Sequence, residues 1–128
     1  MLDTSVLIAH WRKCEGDAPA APRPDDARRW AKELIKTYGT DVVATPVVVE
    51  FLAGVRKRDE LMLARAYLED LRTIDGGNVS AEDWAAARRY AERVPQDGKP
   101  RQLGDCLIRA IADRLGYDAY SLDKRFQK

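Results

Sequence analysis

Apolar positions recur along this chain mostly at helical spacing, with short β-type runs between them. Ser5 to Lys13 reads as a short helix or turn, and Cys14 to Pro24, which holds Gly16 and three prolines, reads as a loop. From Asp25 to Tyr38 the apolar residues Ala27, Trp30, Ala31, Leu34 and Ile35 form one face, acids stand at the front and Gly39 follows the end, so the spacing predicts an amphipathic helix. Asp41 to Ala44 is a strand candidate. Thr45 then serves as the expected N-cap, with Pro46 at the first helical position of a helix through Gly54. Helical spacing returns from Arg58 to Leu71, and Leu71 to Asp75 before Gly76 and Gly77 predicts the next strand. Ser80 and Asp83 resemble a capping box that opens a helix through Arg93, closed by Pro95. Residues 96–102 form a loop, Gly104 to Leu115 a helix ended by Gly116, and Tyr117 to Ser121 a last strand. Short strands separated by helices require crossover connections, which predicts one α/β domain over residues 1–128: a short, mostly parallel β-sheet flanked by helices on both faces. Such sheets bind ligands beyond the carboxyl ends of their strands.

Composition narrows the chemistry. The 128 residues suit one core, and 22 Lys plus Arg against 21 Asp plus Glu give a net charge of +1, so any grip on a polyanion must be a local patch. Apolar runs stop short of a membrane span and nothing at the amino end reads as a signal peptide, which predicts a cytoplasmic chain with no membrane partner. Cys14 and Cys106 stand far apart, and with His10 as the single histidine they predict neither a disulfide framework nor a structural zinc site. Triad-type nucleophilic catalysis would have to use His10, which has no acid beside it in sequence, and no glycine-rich phosphate loop occurs. Carboxylates remain.

Most of the acids alternate with Lys and Arg on helix faces and read as solvated surface. Four do not. Asp3 interrupts an apolar stretch at a strand-to-helix junction, and Glu50 has no cation three or four residues away and so points inward or lines a cleft. Asp105 shares a helix face with Ile108, Ala112 and Leu115, although an acid at a helix amino end is favourable for the dipole alone. Asp123 follows the last strand, where a turn acid needs no function. A parallel sheet would bring these positions to one edge, where several anions need a neutralising cation, and oxygen donors without nitrogen or sulfur suit Mg²⁺ or Mn²⁺ and phosphodiester hydrolysis.

The same residues carry a resemblance. Leu2-Asp3-Thr4-Ser5-Val6-Leu7-Ile8 resembles the opening motif of PIN-domain nucleases, particularly the VapC-type toxins of toxin–antitoxin pairs. The stretch from Thr45 to Gly54 around Glu50 is similar to the family's second motif, Leu103 to Ala110 around Asp105 to the third, and Ser121 to Phe126 around Asp123 to the fourth. The resemblance implies that Asp3, Glu50, Asp105 and Asp123 form the catalytic Mg²⁺ or Mn²⁺ site, with Thr4, Ser5 and Ser121 as supporting hydroxyls. It further implies an endoribonuclease with an RNA substrate, a VapB-like antitoxin as partner, and a homodimer within a larger hetero-oligomer. The candidate RNA contacts are Arg56, Lys57 and Arg58, Lys99 and Arg101, and Lys124 and Arg125, while Trp11 and Trp30 are candidates for the antitoxin groove. The sequence departs from the pattern in having two residues before Asp3, which predicts a short first strand, and in Ser121-Leu122 at the fourth motif. The alternative is an inactive PIN-like binding module whose acidic pocket receives a basic segment of a partner; a dehalogenase-like phosphatase would need Asp at position 5, where Ser5 stands.

Overall fold

A computed structural model describes residues 1–18, 20–93 and 98–122. Asp123, Lys124 and Arg125 lie outside the described residues. Among the described residues six helices and two short strands follow in the order α1 (Thr4–Asp17), α2 (Pro24–Tyr38), β1 (Val42–Val43), α3 (Thr45–Ala53), α4 (Arg58–Leu68), β2 (Arg72–Thr73), α5 (Ala81–Ala91) and α6 (Leu103–Leu115).

The sheet is parallel, as expected. Val42 pairs with Arg72 and Val43 with Thr73. The extended segment at residues 1–3 continues it: Leu2 N donates to Val42 O at 2.8 Å, Asp3 N to Tyr120 O at 2.9 Å, and Tyr120 N to Met1 O at 2.8 Å. The expected last strand is reduced to a single parallel bridge between Leu2 and Tyr120. Residues 1–3 and Tyr120 thus meet beside β1, and the carboxyl end of the central segment is Asp3.

Local chemistry explains the ends of α2 and the start of α5. In α2, Pro24 starts the helix, Asp25 and Asp26 occupy its first turn, and Gly39 ends it at φ 69°, a left-handed conformation that favours glycine. The Ser80–Asp83 capping box of α5 is present: Asp83 N donates to Ser80 Oγ, and Ser80 N to Asp83 Oδ2. Two expectations need correction. Helix α1 runs on through Cys14 to Asp17 instead of ending at Lys13, because Trp11 and Cys14 both bury their side chains on the face that continues the helix. Thr45 is the first residue of α3 and Ala44 its N-cap; the capping oxygens come from Asp75, just past β2, which accepts from Thr45 N at 3.1 Å and Thr45 Oγ1 at 2.7 Å.

Helix α2 packs on α4 and α5 on α6, while α3 touches α1, α4 and α6. The core centres on Leu7, Leu34, Val43, Val47, Ile108 and Tyr67, whose ring stacks on Phe51 and meets Trp11 edge-to-face. Trp11 and Trp30 are buried and touch edge-to-face at 5.4 Å, whereas Trp84 is half exposed. A second link is polar: Arg114 of α6 donates from Nε and Nη2 to the buried Asp83 of α5 at 2.7 and 2.9 Å. No helix of the described residues is long and apolar enough to cross a membrane.

Candidate active site

Asp3 stands where the central extended segment turns into α1, and it is 2% exposed. It occupies the N-cap position, yet its side chain makes no capping bond. Its Oδ2 instead accepts from the hydroxyls of Ser5 and Ser121, each at 3.0 Å, and Leu122 N donates to Ser5 Oγ at 3.1 Å. Those bonds tie the acid to the segment after the Tyr120 bridge. The other oxygen, Oδ1, is buried and has no hydrogen-bond partner. A buried carboxylate oxygen without a donor is costly, and native proteins keep one where an ion or reacting group completes it.

Glu50 projects from α3. It is exposed rather than turned inward. Thr4 Oγ1 donates to its Oε1 at 2.8 Å, so the residue after Asp3 fixes one end of the carboxylate. The remainder of the group lies against Gly104 in the first turn of α6: a Cβ added there would stand 2.5 Å from Glu50 Oε2 and 2.7 Å from Oε1. Asp105, half-buried, follows directly. The acids are therefore linked from Asp3 through Thr4 and Glu50 to Gly104 and Asp105, with the positive N-terminal ends of α1 and α6 on either side of Glu50.

The structure thus sets Glu50 against Thr4 and Gly104, the chain neighbours of Asp3 and Asp105, while Asp123 lies outside the described residues. Their oxygens do not form a tight knot: among the described residues the group of three donor side chains whose ligand atoms all lie within 4.8 Å of one another is His10, Cys14 and Glu33, elsewhere on α1 and α2. A wide acidic site suits a hard ion that keeps several waters and takes one or two carboxylates directly. Of the three hydroxyls, Thr4 donates to Glu50, and Ser5 and Ser121 donate to Asp3. Of the expected basic rim, Arg56 and Lys57 between α3 and α4 and Arg58 at the start of α4 are exposed, Lys99 is exposed, and Arg101 donates from Nε to Arg93 O at 3.0 Å. Lys124 and Arg125 lie outside the described residues.

Sequence reasoning missed two positions. Gly104 is needed for the close approach of Glu50, and its signal was a glycine inside a helix's first turn beside an acid. Asp75 reads as an acid before a Gly-Gly turn, but it is 6% exposed and caps α3, the helix that carries Glu50.

A parallel sheet with acids at the amino ends of α1 and α6 and a third acid, from α3, held between those ends defines a class of α/β domains with an acidic site. Within that class the chain belongs to the PIN domain family, whose model matches residues 1–128. No curated protein and no solved structure matches it. PIN domains are generally nucleases that cleave RNA or DNA with the help of divalent metal ions.

Proposed function

We propose that this chain is an endoribonuclease dependent on Mg²⁺ or Mn²⁺ and the toxin of a VapC-type toxin–antitoxin pair acting in the cytoplasm. The observation that carries the proposal is Asp3 Oδ1, a buried carboxylate oxygen left without a donor at the carboxyl edge of a parallel sheet. Asp3, Glu50 and Asp105, with Asp123, would hold the ion. When bound, such an ion polarises the phosphoryl group and makes water a usable nucleophile near neutral pH. The chain's own residues set the stage. Ser5 and Ser121 occupy Oδ2 of Asp3 and so leave Oδ1 as the free ligand, and Thr4 holds Glu50 against α6. Arg56, Lys57, Arg58, Lys99 and Arg101 attract the RNA backbone as a local patch on a nearly neutral chain.

Ribonuclease activity is tested by offering labelled RNA and DNA of one sequence with Mg²⁺, Mn²⁺ or excess chelator. RNA cleavage that needs the ion and disappears in Asp3→Asn supports the reading. A chain that cleaves neither polymer with either ion is the binding module instead, and cleavage of DNA alone removes the ribonuclease assignment.

For the antitoxin, a cavity of about 340 Å³ between α1, α3 and α4 offers Ile8, Trp11, Phe51 and Val55 as an apolar floor, with Arg12, Glu15, Arg56 and Glu60 around it. Trp30 lines a separate depression with Cys14 and Asp26, so the proposed groove rests on Trp11. A basic side chain of the antitoxin tail reaching the acidic site would displace the ion and silence the enzyme. Co-purification with the product of the neighbouring reading frame tests this: no complex, or a complex that cleaves RNA as fast as the free chain, rejects the partner.

A further inference from the structure

We infer that His10, Cys14 and Glu33 form a second cation site, distinct from the acidic one and suited to a borderline-soft ion of the Zn²⁺ class. The starting point is the length of α1. Because the helix continues through Asp17, His10 and Cys14 stand four residues apart on one helix face, the spacing at which side chains of neighbouring turns meet. Glu33 of α2 faces the pair. One ligand atom from each of the three lies within 4.8 Å of the others.

The three donors stand within a short side-chain adjustment of what an ion would need. Cys14 Sγ is 3.7 Å from His10 Nε2. With Zn–S near 2.3 Å and Zn–N near 2.1 Å, a tetrahedral ion sets sulfur and nitrogen about 3.6 Å apart. The sulfur is also 3.8 Å from Nδ1, so the thiol lies beside the ring and swings toward the Nε2 lone pair to share an ion with it, while Glu33, being exposed, closes the third edge by rotation about its own side-chain bonds. Nδ1 is taken by the Tyr67 hydroxyl at 2.7 Å, and Tyr67 is wholly buried. That contact fixes the ring and leaves Nε2 as the ligand, in the manner of the outer hydrogen bonds that orient metal-bound histidines.

The surroundings leave room for the rest of the shell. The three donors line an open cavity of about 470 Å³ with Val6 and Lys36, large enough for the water that would complete four-coordination. Sulfur and imidazole donors select against Mg²⁺ and for Zn²⁺ and its neighbours. One thiolate and one carboxylate neutralise a divalent ion, and the thiol proton is released to solvent as the metal–sulfur bond forms. The site is separate from the acidic one: along α1, His10 and Cys14 lie roughly 10 and 16 Å beyond Asp3 at the ordinary rise per residue. A purely structural role for Cys14 accounts for its burial but not for a charged carboxylate and a fixed imidazole converging on its sulfur.

Cobalt is the probe, because its bond to a thiolate gives a near-ultraviolet charge-transfer band that carboxylate ligation does not. The reduced full chain should take up one equivalent of Co²⁺ with that band, and Zn²⁺ should displace it and raise the melting temperature. Asp3→Asn and Cys106→Ser should keep the band, Cys14→Ser should lose it, and Glu33→Gln should weaken Co²⁺ binding about tenfold or more, the scale of losing one supporting group. A chain saturated with Co²⁺ that shows no thiolate band overturns the site, as does a band that survives Cys14→Ser or vanishes in Cys106→Ser. Should Cys14→Ser fail to fold, Glu33→Gln decides from the surface: unchanged affinity rejects the assignment.

Discussion

Replacing Gly104 with alanine should separate activity from stability. The added methyl would stand 2.5–2.7 Å from the Glu50 carboxylate, where ordinary contact begins near 3.4 Å, so the carboxylate must retreat by most of an ångström. What retreats is the far end of a flexible, exposed side chain, and the backbone of α6 need not move. Losing the Thr4–Glu50 bond costs about 1 kcal/mol at such an exposed acid, against the 1.5–3 typical of charged hydrogen bonds. Alanine in place of glycine in a helix returns about 0.5–1 kcal/mol. The two nearly cancel, and the melting temperature should move by no more than about 4 °C. Activity has no such compensation, since misplacing a site group by about 1 Å can cost about 100-fold. Initial rates of RNA cleavage in saturating Mn²⁺, taken beside thermal unfolding of the same samples, read both quantities. If the effect runs through Glu50, Gly104→Ala combined with Glu50→Gln should be no worse than Glu50→Gln alone. A variant that cleaves within twofold of the parent, or that loses more than about 3 kcal/mol of stability, refutes the argument, the latter because Glu50 would then be pinned rather than movable.

Asp3→Asn should abolish cleavage while the metal-free melting temperature holds or rises, because the change removes a buried charge with an unpartnered oxygen; Mn²⁺ should stabilise the parent and not the variant in the same thermal assay. Asp75→Ala should destabilise by about 2 kcal/mol in urea unfolding, since two donors of Thr45 lose their acceptor at a half-buried helix start. Arg114→Ala should cost about 3 kcal/mol at neutral pH by leaving Asp83 buried and unpaired. Arg114 holds the Asp83 carboxyl below the usual carboxylate range, so its stabilisation is complete above the ordinary value near pH 4 and disappears as pH falls through the lowered one. Stability measured from pH 7 to 2 should therefore show parent and Arg114→Ala converging at the acid end, and a constant gap would contradict the pairing.

What the sequence revealed was local, and what it hid was supplied from a distance. The apolar face of α2 and the Ser80–Asp83 box are set by neighbours within a turn or two, and both stand where spacing put them. The continuation of α1 through Gly16 and Asp17 is not a matter of propensity; it follows from burying Trp11 and Cys14 against the rest of the fold. The capping of α3 by Asp75 spans thirty residues, so Thr45 looked like its own cap. The last strand shrinks to the Tyr120 bridge because Tyr117, Asp118 and Tyr120 are exposed and have little apolar surface to hold a longer pairing. At the site, the acids and hydroxyls were legible as residue types, but the contact between Glu50 and Gly104 joins helices fifty residues apart and could be read only from the fold.

The three buried carboxylates of the described residues show how the fold divides its acids between structure and chemistry. Asp83 receives a two-pronged guanidinium and a backbone amide, and Asp75 receives an amide and a hydroxyl through the oxygens that face α3. Both are spent on joining elements: α5 to α6, and β2 to the start of α3. Asp3 is as deeply buried as either, yet its hydroxyl donors are gathered on Oδ2 and nothing reaches Oδ1. Two neutral hydroxyls are weak compensation for a buried anion, whereas a guanidinium is strong, so the fold stabilises Asp83 and leaves Asp3 short by about one charged partner. That shortfall sits at the junction where the central extended segment, α1 and the Ser121 segment meet, so a cation that completed it would also clamp the Ser121 segment to residues 1–3. Ion binding and closure of the sheet edge are then one equilibrium, and removing the ion should loosen the Ser121 segment before it loosens the α2–α4 pair.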